Sequence, residues 1–281
     1  MTTRRHVVIP VLIVAVLSLI WDLLVALVLH FPPGYATTTA GDQTVTGQVF
    51  AMIAGDVGMA VVVFAVYFLF AFNGKGQPRE PQSVARANQN VPLQVGWISA
   101  CVVLVMFAAG FGVVELEGQT DPALVVPASA LATGAQHNPF IVQVIAQQWQ
   151  FTYRYPQYGG FESQELRIPT GRLVQFDVTS LDVTHQFWAY QLAVKVDANQ
   201  GVNNVAYTYV YKPITIDVRC GELCGLWHGY MTNLGSQAGR ALAPTAFNSW
   251  LSYAEATYGP ETKFLPKFAL TYFPQPLTWA S

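Results

Sequence analysis

Charge is scarce in this chain. Asp, Glu, Lys and Arg together make up 11% of 281 residues, and the formal net charge is −2. No basic field exists to attract a phosphate backbone, so nucleic acid is excluded as a partner. Cysteine is scarce too. The three present cannot make an even-numbered disulfide framework. Cys101 falls in an apolar run and reads as a small packing residue, which leaves Cys220 and Cys224 to account for.

The missing charge is concentrated in three places. Apolar runs extend from about Val7 to Phe31, Val49 to Phe72 and Val91 to Val114. As helices they measure about 33–37 Å, enough for a hydrocarbon core of about 30 Å. With 52% apolar residues overall, this is the composition of an integral membrane protein. The loop after the second run carries Lys75, Arg79 and Arg86, whereas Pro32 to Gln48 has no basic residue. The third run is followed by Glu115, Glu117 and Asp121. The positive-inside rule therefore puts the 73–90 loop in the cytoplasm and everything after the third run outside. The first run, after Arg4 and Arg5, is open to two readings. Small residues near Ala36 to Ala40 would suit signal-peptide cleavage, but the run is long for a signal sequence and favours a retained helix. Asp22 and Asp56 lie within apolar runs, where a carboxylate is expensive. A helix–helix hydrogen bond is the simpler expectation for both, or for Asp56 a position nearer the outer membrane interface.

The periodicity changes after residue 117. Residues 118–139 are rich in Ala, Pro, Thr and Gly and read as a linker. Beyond Phe140 the chain alternates with period two, as in Val174, Phe176 and Val178 or Ile214, Ile216 and Val218. Such short runs, with turns at Tyr158-Gly159-Gly160 and Pro169-Thr170-Gly171, predict a β-sandwich or barrel over 140–258. Within it Trp149, Phe151, Tyr153 and Tyr155 would share one strand face. A helix over Ala243 to Tyr258 would pack Phe247, Trp250 and Leu251. The tail 259–281 has no assigned role.

The chemistry lies between Cys220 and Met231, in Cys-Gly-Glu-Leu-Cys-Gly-Leu-Trp-His-Gly-Tyr-Met. Two thiols, the imidazole of His228 and the thioether of Met231 fall within one short loop. Soft and borderline ligands of this kind select copper over magnesium or calcium. His185, upstream in Leu-Asp-Val-Thr-His-Gln-Phe-Trp, supplies a second imidazole. Three simpler readings stand beside copper: a Cys220–Cys224 disulfide in an oxidising compartment, a thioredoxin-like copper chaperone, and zinc, for which Met231 would be an odd ligand.

This ligand motif resembles subunit II of the haem–copper oxidases, the subunit that carries the binuclear CuA centre of cytochrome c oxidase. The resemblance covers roughly Val49 to Leu251. It implies an α+β membrane protein, N-terminal transmembrane helices followed by an all-β cupredoxin Greek-key barrel. It further implies two copper ions bridged by Cys220 and Cys224, with His185 and His228 on one copper each. Met231 and the backbone carbonyl of Glu222 would be weak ligands. The side chain of Glu222 would face a magnesium site shared with subunit I. Trp149 would be where an electron from cytochrome c, or another small extracytoplasmic donor, enters on its way to haem in subunit I. Oxygen reduction to water would occur there. The setting would be a prokaryotic cell membrane, with the copper domain extracytoplasmic. A nitric oxide reductase subunit or a copper delivery protein are the alternatives.

The chain departs from the family in four places. The first apolar run is additional to the usual two-helix hairpin. Phe151 stands where many relatives have a second Trp. Asn199-Gln200-Gly201-Val202 replaces the usual Ile-Pro-Gly-Arg after Lys195-Val196-Asp197, a region which, with Asp182, adjoins subunit I in the family. Gln94 replaces a Glu linked to a proton channel, and glutamine cannot take up a proton at physiological pH.

Overall fold

The computed structural model describes residues 3–29, 31, 33–71, 90–117, 121–132, 134, 137–265 and 268. The basic residues of the 73–90 loop, parts of the linker and most of the 259–281 tail lie outside them. The chain divides into two compact units, one from residues up to 31 with 45–114, the other from 33–44 with 115 onward.

The first unit is helical. Its helices α1 (Thr3–Leu27), α2 (Thr38–Ala71) and α3 (Val91–Glu117) are all long and apolar enough to cross a membrane. Their side chains point outward, with Leu69, Val103 and Val105 among many exposed. Lipid tails, as apolar as leucine, make that arrangement stable. The indole N–H of Trp21 donates to Ala51 O at 2.9 Å, and Phe50 meets Phe111 edge-on. One carboxylate oxygen each of Asp22 and Asp56 is enclosed with no hydrogen-bond partner among the described residues.

Helix α2 starts well before its apolar run, for a local reason. Thr37 is an N-cap whose hydroxyl oxygen accepts from Ala40 N–H at 2.9 Å, satisfying a donor that the first turn leaves orphaned. The same segment is built into the second unit. Thr37 bridges Val210 in β fashion, Tyr211 N–H donates to Ala36 O, and the Thr37 hydroxyl donates to Leu192 O at 3.2 Å. Ala36, Thr37, Thr39, Ala40 and Thr44 are all buried.

The rest of the second unit is an all-β domain. One sheet runs β3 (Glu162–Ser163), β2 (Gln150–Arg154), β1 (Phe140–Gln147), β5 (Leu173–Ser180), β8 (Asn204–Tyr209). Strands β1 and β5 pair in parallel, and the others antiparallel. A second sheet runs β11 (Thr232–Asn233), β10 (Val218–Cys220), β6 (His185–Ala189), β7 (Val194–Ala198). A third holds β4 (Arg167–Pro169), β12 (Gly239–Leu242) and β9 (Ile214–Ile216). Apolar helices followed by an all-β domain are thus the architecture, as the sequence predicts. The core includes Phe140, Val142, Val144, Phe176, Val178 and Phe187, each contributing about 1.5–3 kcal/mol by burial.

Local departures from the expected pattern have physical causes. The Ile214–Val218 alternation is not one strand. Asp217 breaks it, because its N–H donates to Gln191 Oε1 and its carboxylate accepts from Gln191 Nε2. Residues before it pair with β12 and those after it with β6. Strand β2 is buried on both faces, with Phe151 and Tyr153 on one side and Thr152 and Arg154 on the other. Arg154 tolerates this because Glu162 pairs with it at 2.8 Å. Trp149 does not share the face of Phe151 and Tyr153: it lies in the turn between β1 and β2, half-buried. The linker contains two short helices, α4 (Pro122–Val125) and α5 (Ala128–Leu131). Helix α6 (Pro244–Tyr258) buries Phe247 and Leu251, while Trp250 stacks edge-on against Tyr155 at 5.2 Å.

Candidate metal centre

The ligand loop spans two paired strands. Cys220 ends β10, and Met231 precedes β11, which pairs back on β10. Cys220 N–H donates to Met231 O at 3.0 Å and closes the loop. Gly221 N–H donates to Gln186 O, tying the loop to β6. That strand begins with His185, and the register sets Cys220 opposite Phe187. Sequence neighbours and sheet register together bring His185 to the loop.

The resulting cluster is tight. Cys220 Sγ lies 3.7 Å from Cys224 Sγ and 3.8 Å from His185 Nδ1. Cys224 Sγ lies 3.4 Å from His228 Nδ1 and 3.8 Å from Met231 Sδ. The Glu222 carbonyl oxygen is 3.2 Å from Cys220 Sγ, and its side chain is exposed. His185, Cys220, Cys224 and Met231 are buried; His228 is half-buried. Two ligands of one first-row ion, with bonds of about 2.0–2.3 Å, sit about 3.5–3.8 Å apart. The observed spacings fit metal binding, and the sulfur-rich donor set fits copper. Both cysteines are free thiols, so the fold holds no disulfide between them.

Electrostatics prepare the cluster for metal. Burial and the adjacent Cys220 push the Cys224 thiol up to about 12. A metal ion must therefore displace protons to obtain its thiolates. Asp182 lies 2.9 Å from His185 Nε2; a neutral ring donating there turns Nδ1 to Cys220 as a free ligand atom. Asp182 also accepts from Gln148 N–H at 2.6 Å and Val183 N–H at 2.7 Å. Burial raises its carboxyl, but these hydrogen bonds outweigh that and hold it below the ordinary carboxylate value. It stays ionised and holds the ring in place.

Trp149 stands outside the ligand cluster but against it. Gly225 has φ +117°, and a Cβ there would meet Gln148 Nε2 at 2.8 Å and Trp149 at 3.5 Å. Only glycine permits that approach. Gln148 Nε2 donates to Cys224 O at 2.8 Å, and Trp149 packs edge-on against Trp227 with centroids 6.5 Å apart. Nothing in the sequence alone singles out Gln148 or Trp227 as part of the centre. Asp182 enters the sequence reading only through a family interface, whereas the structure gives it the His185 ring. The spacing Asp-x-x-His is the signal that could have found it. Asp197 accepts from Gln186 Nε2 at 2.7 Å, and Lys195 Nζ sits 5.0 Å from the Trp188 ring centroid.

Comparison with known proteins agrees with this geometry. Residues 161–235 match the sequence model of the family described as cytochrome c oxidase subunit II, periplasmic domain. The cytochrome c oxidase subunit 2 of Alkalihalophilus pseudofirmus is 25% identical over 173 residues, 62% of this chain and 48% of that protein. The subunit 2 of Thermostichus vulcanus is 40% identical over 91 residues, 32% of this chain and 27% of that protein. Among solved structures, the periplasmic domain of subunit II of cytochrome oxidase from Bradyrhizobium japonicum is 27% identical, with a TM-score of 0.39. The match covers 42% of this chain and 95% of that domain. The chain spans about half the length of the first of these relatives. The chain thus combines three helices long and apolar enough to cross a membrane with a β-domain whose His185, Cys220 and Cys224 could hold a metal ion. Within its β-domain, residues 161–235 are similar to the periplasmic domain of cytochrome c oxidase subunit II.

Proposed function

We propose that this chain is the electron-accepting subunit of a respiratory haem–copper oxidase. It takes electrons from a reduced extracytoplasmic donor, cytochrome c or another small carrier, and delivers them towards haem in subunit I. Oxygen is reduced in that neighbouring subunit. The single observation that carries this reading is the cluster of two thiols, two imidazoles and a thioether on one short loop and one strand.

Cys220 and Cys224 would bridge two coppers, with His185 on one side, His228 on the other, and Met231 and the Glu222 carbonyl as weak ligands. Bound there, a copper pair supplies a one-electron carrier whose charge is shared between two ions. The chain's own contribution is to hold the ligands still. Asp182 fixes the His185 ring, the β10–β11 pairing fixes both ends of the loop, and the core around Met231 keeps water out. A carrier held this way changes shape little when its charge changes. Trp149, seated on Gly225, would be the point where the electron enters. The exposed carboxylate of Glu222 could hold magnesium together with subunit I.

We place residues 1–117 as the membrane anchor, 118–139 as linker, 140–258 as the extracytoplasmic copper domain and 259–281 as tail. The orientation rests on the basic residues of the 73–90 loop, and the setting is a prokaryotic cell membrane. The length of the first apolar run, greater than a signal sequence needs, supports retention of the first helix.

The test is metal analysis and electron paramagnetic resonance on the natively assembled complex. Two coppers per chain, with one unpaired electron spread over both, is the expected result. One copper, zinc, or an electron confined to a single ion would overturn it.

A further inference from the structure

Gln148 is exposed, so burial does not explain where its side chain lies. Its hydrogen bonds do. The side-chain Nε2 donates to Cys224 O at 2.8 Å, and the backbone N–H donates to Asp182 Oδ2 at 2.6 Å. Asp182 presents its other oxygen to His185 Nε2 at 2.9 Å. One residue therefore joins two ligands from different parts of the chain, His185 at the start of β6 and Cys224 in the loop after β10. The seat allows it. A Cβ on Gly225 would meet Gln148 Nε2 at 2.8 Å, so a side chain there would push the amide off the Cys224 carbonyl. The loop's ends are tied elsewhere, Cys220 N–H to Met231 O and Gly221 N–H to Gln186 O, and Cys224 lies between them. Trp149 follows Gln148, and its indole N–H is enclosed with no acceptor among the described residues. The ring rests on contacts with Gly225 and Trp227, while the hydrogen bonds of Gln148 fix the turn that carries it.

We infer that Gln148 is a positioning residue for the metal centre: its two donors brace the ligand loop against the strand that carries His185 and seat Trp149 beside Cys224. The brace stands on the hydrogen bonds alone, and its effect on electron transfer rests on the function proposed above. In the metal-free chain the brace holds the loop closed over two buried thiols, Cys220 and Cys224. With metal held there, the positive end of the Nε2–H dipole points at a ligand residue's carbonyl and favours the electron-richer state of the centre. When one electron leaves the donor, which is oxidised, and reduces the metal, Gln148 gains and loses neither electron nor proton. Only its side-chain bond is open to substitution, since the bond to Asp182 comes from the main chain. Gln148→Met keeps the length and removes the donor. Gln148→Glu sets a carboxylate against the carbonyl oxygen. Gln157→Met is the control. Gln157 Nε2 also donates to a backbone carbonyl, Pro139 O at 3.0 Å, but at the opposite end of β1 from the ligands.

The experiment uses the full chain in detergent, first metal-free and then loaded with copper. Metal-free, the rate of Cys224 alkylation by iodoacetamide is followed by peptide mass spectrometry. It should rise about three- to ten-fold in Gln148→Met, the range expected for one lost hydrogen bond, and at least as much in Gln148→Glu. Far-ultraviolet circular dichroism should stay unchanged in both. Copper-loaded, a spectroelectrochemical titration reads the ratio of reduced to oxidised centre at one applied potential. In Gln148→Met that ratio should fall about three-fold, with the copper content unchanged. Gln157→Met should move neither readout. The inference is overturned if Gln148→Met alkylates at the unsubstituted rate, or if its reduced fraction holds or rises. Equal shifts in Gln157→Met would also overturn it, as would loss of β-structure in Gln148→Met, since the residue would then serve the fold as a whole and not the centre. Absence of the copper-pair spectrum from the unsubstituted chain would instead sink the function proposed above, while the alkylation result would still decide the brace.

Discussion

The two units of this molecule use apolar side chains in opposite ways. In the helical unit Leu69, Val103 and Val105 point outward, and stability comes from backbone hydrogen bonds satisfied within each helix and from the lipid around it. In the β-domain Phe140, Phe176 and Phe187 are fully buried, and hydrophobic collapse against water drives folding. The difference explains where a metal cluster can be built. Side chains locked by a packed sandwich can hold five donor groups, with one backbone carbonyl beside them, to a fixed geometry. An isolated outward-facing helix has no comparable frame. Within the β-domain the ligand loop is the exception, for Leu226 and Tyr230 also point outward.

This contrast is tested most severely at the centre itself. Cys224→Ser removes one of two sulfurs 3.7 Å apart. Loss of the shared-electron spectrum and of donor oxidation should be complete, read by paramagnetic resonance and stopped-flow reduction. The next effect is on the frame. Phe176→Ala, at a fully buried position, should destabilise the β-domain by about 3–5 kcal/mol. Denaturant unfolding of the detergent-solubilised chain measures this. Smaller still is the effect of Asp182→Asn, which leaves a partner for His185 but removes the charge. Copper affinity should fall about 10–100-fold, measured by competition with a chelator. The sign of the pH dependence in metal-free protein comes from a carboxyl held below its ordinary value. The stability that Asp182 contributes is present above about pH 4 and is lost as pH falls through its folded-state value. The stability gap between the unsubstituted chain and Asp182→Asn should therefore shrink in acid, which denaturant unfolding across a pH series would show. Least of all should come from Val103→Ala on the outward face of α3. A shift within about 0.5 kcal/mol in a detergent-unfolding titration is expected, and a larger loss would show that this face is packed against protein.

Much of the candidate centre was legible because it is local. Cys220, Glu222, Cys224, His228 and Met231 fall within one loop, so their grouping survives any fold that closes it. The helices were legible because length and apolarity are properties of contiguous sequence. Period-two logic places Trp149 on a strand face, yet it sits in a turn, since β2 begins only at Gln150. Periodicity reads the interior of an element and is weakest at its ends. The Ile214–Val218 run looks like one strand because alternation continues through Asp217, while hydrogen bonds to Gln191 divide it between two sheets.

Composition and short spacing carry some information directly, and from them come the available donor atoms, the three membrane-length helices and the all-β character of the C-terminal domain. Other features exist only once the chain has folded. Asp182 holds His185, Gln148 reaches the Cys224 carbonyl, residues 36–44 pack against the β-domain, and Trp149 meets Trp227. Most of these contacts join segments far apart in the chain. Sheet register and burial, which depend on the whole domain folding at once, bring them within hydrogen-bonding or van der Waals reach.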